Sequence, residues 1–180
     1  VFTNLTEDHL DFHKTMEAYA EAKALLFTRC KESVLNLDDE WVDRMREKVN
    51  GPLLTYAVKN AADLTARDIQ LESDHVTFTA ACGGESLPVR LDIPGGFTVY
   101  NALSVIGAAL RLGAKLPDIA AALREAKGVK GRVEVVPTPG KDYTILIDYA
   151  HTPDSLENVL KSVRGFCKGR VIAVFGCGGD

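Results

Sequence analysis

"TILIDYAHTPDSLENVLKSVRGFCKGRVIAVF" occupies residues 144–175. The stretch 143–152 opens on a run of Tyr, Thr, Ile and Leu and reads as a buried strand. Thr152-Pro153-Asp154 then starts a helix over 153–166, and "RVIAVF" (170–175) reads as the next strand. A strand–helix–strand unit of this length predicts an α/β fold with a parallel, Rossmann-like sheet.

Upstream, "GVKGRVEVV" turns into a strand. Its glycines and lysines at 128–131 place a domain boundary between residues 1–130 and 131–180. Before that boundary, "LPDIAAALREA" (116–126) reads as a helix started by Pro117 and Asp118. An apolar helix is expected over 99–112, entered from Pro94-Gly95-Gly96 and ended by Gly113. Three short segments precede it. "DIQLE" and "HVTFTA" flank a tight turn at Ser73-Asp74, and "SLPVRLDI" carries Pro88, which marks an edge strand. Together they predict a small, mostly antiparallel sheet. "SVLNL" (33–37) is a further strand, and 38–49 reads as a helix capped by Asp38 and Asp39. Over 15–30, Met16, Tyr19, Ala20, Lys23, Leu26, Phe27 and Cys30 fall on one helical stripe.

The bulk numbers narrow the function classes. Apolar residues form 46% of the 180, enough for a core, and the formal net charge is −4. That balance argues against a nucleic-acid partner held by a basic surface. No apolar run has the length of a membrane span. The four cysteines are scattered without metal-ligand spacing, which reads as reduced thiols in a cytoplasmic protein. Val1-Phe2-Thr3 reads like the tail of a strand, and "RVIAVFGCGGD" stops after a glycine turn, so a piece of a longer chain is expected.

Four places carry candidate chemistry. His9 and His13 stand four apart. The zinc-protease motif requires a glutamate directly after the first histidine, where this chain has Leu10. Glu7 and Asp8 equally suit a helix N-terminus. Lys23 occupies the apolar stripe: it either snorkels to solvent or is a buried amine of lowered pKa. A neutral amine adds carbon dioxide to become a carbamate, an oxygen donor suited to magnesium. Asn101 is expected in the first turn of its helix, where a carboxamide can read the donor and acceptor of an adenine edge. Asp148, His151, Thr152 and Asp154 follow a strand, where ligands of open α/β sheets gather; Thr152 or Asp154 equally serves as a helix cap. No G-x-x-x-x-G-K-[ST] phosphate loop occurs.

The order "TNLTEDHLDFH…YAEAK", "GGFTVYNALSVIGAAL", "GVKGRVEVV", "IDYAHTPDSLENVL" and "VFGCGGD" resembles the Mur ligases over nearly the whole chain, in their E-type branch. D-H-L-D-x-H and D-Y-A-H-T-P-D are its specific motifs. The resemblance implies the latter part of a P-loop-type central ATPase domain, followed by the start of a Rossmann-like C-terminal domain. It implies ATP-dependent amide formation that adds diaminopimelate or lysine to UDP-N-acetylmuramoyl-L-alanyl-D-glutamate, through an acyl phosphate. It implies ATP and Mg2+, a cytoplasmic monomer, and no nucleic-acid or membrane partner. By resemblance His9 binds magnesium, Lys23 is carbamylated and shares that metal, and Asn101 lies beside adenine. Arg132 and Asp148 contact nucleotide, with His151 near them. A related folylpolyglutamate-type ligase, an inert nucleotide-binding piece and a zinc hydrolase remain alternatives.

Overall fold

The computed structural model describes residues 1–7 and 10–176. Two short helices open the chain, α1 (Leu10–His13) and α2 (Met16–Ala24), and a 3-10 turn at Leu25–Thr28 follows. Next come β1 (Ser33–Asn36), α3 (Val42–Arg46), β2 (Leu53–Ala57), β3 (Leu64–Leu71), β4 (Val76–Cys82) and β5 (Glu85–Leu91). The helices α4 (Gly96–Arg111) and α5 (Leu116–Glu125) precede β6 (Glu134–Val136), β7 (Ile145–Ile147) and α6 (Pro153–Phe166).

Strands β1 to β5 form one sheet in chain order. β1–β2 and β2–β3 run parallel, while β3–β4 and β4–β5 run antiparallel. Phe2 adds a parallel bridge to Leu35, which continues the parallel part by one position. The sheet is therefore mixed, not mostly antiparallel. The expected antiparallel half is present, with Pro88 on edge strand β5. The parallel half includes β2, which the alternation criterion passed over. "LLTYA" is buried from both faces, so it does not alternate in polarity.

Both faces of the parallel half are covered. Val34, Leu54, Tyr56 and Leu64 pack with Leu103 and Ile106 of α4 and Ile119 of α5. On the other face, Leu35 joins Phe2, Tyr19, Phe27, Val42 and Met45. Adjacent residues Val34 and Leu35 thus enter two different cores, as the twofold period of a strand requires.

Local chemistry sets the helix ends. Gly95, at φ 100°, takes a conformation that disfavours a side chain and turns the chain into α4. Thr152 caps α6: its hydroxyl accepts from Ser155 N–H at 3.2 Å, Ser155 Oγ accepts from Thr152 N–H at 3.0 Å, and Pro153 follows the cap. The Thr152 hydroxyl is thereby engaged as a helix cap.

Two expectations fail. The helix expected over 38–49 shrinks to α3, because Asp38 turns away to another loop and Asp39 caps only the turn at Trp41. The parallel unit expected over 143–175 is not formed. β7 pairs antiparallel with β6, Ile145 and Ile147 are exposed, and residues 170–175 are assigned to no strand. The helix between them, α6, spans 153–166 as expected.

Candidate functional site

Parallel strands end on a common edge, and three segments meet there. Asn36, at the end of β1, donates from Nδ2 to the Thr3 carbonyl at 2.8 Å. Asp39 accepts the Leu5 N–H at 3.0 Å through Oδ2 and the Trp41 N–H at 2.9 Å through Oδ1. The segment entering α1 is thus pinned beside the carboxyl end of β1. At the opposite edge, Arg111 at the end of α4 donates to Glu32, just before β1, at 2.6 Å. α4 therefore runs back along the sheet and presents its N-terminal turns at the carboxyl edge. There the Tyr100 hydroxyl donates to Asp38 at 2.9 Å. Ligands of open α/β sheets bind at this edge.

Lys23 is exposed, contrary to the buried-amine alternative. The buried side of this region is Tyr19, Ala20, Ala24 and Phe27, and Leu26 is exposed as well. α2 ends at Ala24 and the chain tightens into a 3-10 turn, so the stripe read as one continuous helix shifts its register. Lys23 sits at the rim, its Nζ 5.3 Å from the centre of the Tyr19 ring. His13 stacks on the same tyrosine at 4.8 Å. His9 and Asp8 lie outside the described residues.

The donor chemistry bears on magnesium. Among the described residues, no group of three or more histidine, cysteine, aspartate or glutamate side chains is arranged to hold a metal. An ammonium at Lys23 would repel a dication. A carbamate at Lys23 would reverse that charge and offer oxygen donors, and the residue's exposure leaves room for added carbon dioxide.

Asn101 lies in the second turn of α4 rather than the first, because the helix begins at Gly96. Its side chain is exposed, and its main-chain carbonyl accepts from Ser104 Oγ at 2.8 Å.

Arg132 and His151 flank Tyr149, and Asp148 precedes it in the chain. The Arg132 guanidinium lies 5.5 Å from the centre of the Tyr149 ring, and the His151 ring lies 5.1 Å from it. His151 Nδ1 is 2.9 Å from the Tyr149 carbonyl. Asp148 accepts the Val133 N–H through Oδ2 and the Ala150 N–H through Oδ1, each at 2.8 Å. The carboxylate therefore ties the segment after residue 131 to the end of β7. Val133 is buried and has φ 45°, an uncommon conformation for a β-branched residue. Sequence reasoning passed over Tyr149, although it lies inside a quoted motif, and placed Tyr19 only on the apolar stripe. It took Asp38 for a helix cap.

Residues 1–109 match the Mur ligase middle domain, and residues 131–180 match the Mur ligase glutamate ligase domain. The chain belongs to the Mur ligase family. Among its Mur ligase relatives is the UDP-N-acetylmuramoyl-L-alanyl-D-glutamate–2,6-diaminopimelate ligase of Clostridium botulinum, 45% identical over 181 residues. The Bacillus cereus enzyme of the same name is 46% identical over 189 residues. Both alignments take in 100% of this chain and 38% of the relative. A solved structure of a ligase of that name superposes with a TM-score of 0.79 at 36% identity, over 99% of this chain and 38% of the other. The chain thus spans about 38% of the length of these Mur ligases. Among the described residues, no helix is long and apolar enough to cross a membrane.

Proposed function

We propose that this Mur ligase chain is the latter part of an ATP-binding domain, residues 1–130, and the opening of a C-terminal domain, residues 131–180. The complete enzyme joins diaminopimelate to UDP-N-acetylmuramoyl-L-alanyl-D-glutamate in cytoplasmic cell-wall synthesis, acting as a monomer. The observation that carries the reading is alignment of the whole chain, at 45–46% identity, with relatives bearing that activity in their names. Those names favour diaminopimelate over lysine. The convergence of the α1 entry segment and α4 on one sheet edge supports a shared ligand there.

The reaction has two displacements. A substrate carboxylate oxygen attacks the γ-phosphorus of ATP, the bond to the bridging oxygen breaks, and ADP leaves an acyl phosphate. The amine of the amino acid then adds to the acyl carbon. The tetrahedral intermediate collapses with loss of phosphate and a proton, which leaves an amide. Such chemistry depends on positioning and charge neutralisation.

His9 and a carbamate on Lys23 would hold Mg2+, which would supply neutralisation of phosphate charge when bound. Asn101 meets the adenine edge with its donor and acceptor. Arg132 and Asp148 bring contacts to the nucleotide from beyond residue 131, Asp148 by accepting ribose hydroxyls, and His151 lies beside them. The chain contains no G-x-x-x-x-G-K-[ST] loop, so turnover is expected only of the complete enzyme.

Phosphate release by the complete enzyme tests the reading. Release should require ATP, the UDP-dipeptide and diaminopimelate together, with lysine a poor replacement. ATP turnover indifferent to the UDP-dipeptide would overturn it.

A further inference from the structure

Asp38 has no place in the proposed chemistry, yet its carboxylate accepts five hydrogen bonds. The donors are the N–H groups of Val58 at 2.7 Å, Lys59 at 2.9 Å and Asn60 at 3.0 Å, Asn60 Nδ2 at 2.9 Å and the Tyr100 hydroxyl at 2.9 Å. Its own N–H donates to Asn36 Oδ1 at 3.0 Å, and Asn36 donates onward to Thr3. The next residue, Asp39, takes the Leu5 N–H. A continuous polar path therefore runs from the segment entering α1, across the ends of β1 and β2, to the second turn of α4.

The turn at 58–60 accounts for four of those donors. The Tyr100 hydroxyl is different, because the turn closes without it. The Tyr100 ring packs against the main core, and only its oxygen reaches Asp38. α4 also begins without a side-chain cap, since Gly95 has none to offer. Its opening turn is held by the Thr98 N–H on the Gly95 carbonyl at 3.0 Å and by Thr98 Oγ1 on the Pro94 carbonyl at 3.1 Å. Val99, Ala102 and Leu103 pack these turns into the sheet's core, and the Tyr100–Asp38 bond adds a polar tie between this end of the helix and the carboxyl edge. Asn101 is the next residue, and its exposed side chain moves with any rotation of that turn.

We infer that Asp38 and Tyr100 are positioning residues for the nucleotide: the Tyr100 hydroxyl sets the rotation of α4 and so holds Asn101 in register with the α1–α2 segment. The inference rests on the ATP-dependent reading above. It assigns Tyr100 no contact with the ligand.

Calorimetry on the complete enzyme, with a non-hydrolysable ATP analogue and separately with the UDP-dipeptide, tests it without turnover. Tyr100→Phe removes the hydroxyl and keeps the ring. Its Kd for the analogue should rise about tenfold, the scale of a lost hydrogen bond to a charged group, with UDP-dipeptide affinity unchanged. In an Asn101→Ala background the same change should add nothing, because Tyr100 acts through Asn101. Asp38→Asn should weaken the analogue in the same selective way; if that variant does not fold, Tyr100→Phe decides alone. Unchanged analogue binding, equal losses for both ligands, or additivity with Asn101→Ala would each overturn the inference. Wild-type enzyme that fails to bind the analogue would overturn the ATP reading, and the inference with it.

Discussion

Lys23 lies at the rim of the buried stripe, with Tyr19 under its amine and solvent on the other side. Four-residue spacing was legible in the sequence. The change from α to 3-10 geometry after Ala24, which settles which side of the stripe a residue meets, was not. Exposure removes desolvation as the reason for a reactive amine, so a carbamate here needs support from its ligands. In the complete enzyme Lys23→Ala should abolish most turnover, short carboxylic acids should restore part of it, and Lys23→Arg should not recover it, because guanidinium keeps the wrong sign. Steady-state rates with and without added acid check this, and full activity of Lys23→Ala would refute it. Asp63 supports a second prediction. The Thr55 hydroxyl and then its N–H hold this carboxyl below the usual range, at 2.6 and 2.8 Å. A carboxylate depressed in the fold adds stability above its unfolded pKa of about 4, and that stability is lost as pH falls through the lower folded value. Asp38 shifts in the same direction: burial raises it, but the donors from Lys59, Val58, Tyr100 and Asn60 outweigh burial. Burial pushes Asp39 the other way. Both are common to wild type and an Asp63→Asn variant, so the variant isolates one group. Urea midpoints should fall less steeply from about pH 4 downward in Asp63→Asn than in wild type.

At the scale of elements, α4 approaches the sheet closely at Gly107. A methyl placed there would sit 2.7 Å from Val34 Cγ1 and 3.2 Å from Leu54 Cδ2. Val34 is β-branched and buried in strand β1, so it cannot swing aside. Gly107→Ala should therefore destabilise by about 1–2 kcal/mol, overpacking exceeding the helix-propensity gain of about 1 kcal/mol. Equilibrium urea unfolding measures it, and an increase in stability would show that the helix lifts freely. The elements that sequence made legible carry their own punctuation: Thr152 capping α6 with Pro153 as its first residue, Pro117 in the first turn of α5, and the tight turn between β3 and β4. β2 was hidden because burial on both faces erases alternation. The strand expected over 170–175 failed for a complementary reason. Its apolar residues are those of a two-sided strand, but the described residues give it no pairing, and Ile172, Val174 and Phe175 stay exposed. Among the candidate residues, motif position singled out Arg132, Asp148 and His151. The approach of Arg132 to Tyr149, and of Asp148 to the Val133 N–H, depends on a backbone reversal that no local pattern encodes.

For the molecule as a whole, the segment around residue 131 should act as a hinge between the two parts proposed above. Lys127, Gly128, Val129 and Lys130 are exposed. Immediately after them the chain is held firmly: Gly131 N–H donates to Glu134 Oε2 at 2.8 Å, Tyr149 N–H donates to the Gly131 carbonyl at 2.9 Å, and Val133 N–H donates to Asp148. An open stretch followed by a clamped one concentrates rotation into the few residues between them, as hinges do. Trypsin acting on the complete enzyme should therefore cut first after Lys127 or Lys130. Adding an ATP analogue with the UDP-dipeptide should slow that cut several-fold, because closure restricts the backbone that the protease must extend. Asp148→Ala releases the Val133 N–H and should speed the cut in the unliganded enzyme. The same variant should lose much of the protection by ligands, since the proposed nucleotide contact goes with it. Cleavage at these lysines that ignores both ligands would show that the segment is a passive loop, and that closure, if it occurs, turns elsewhere.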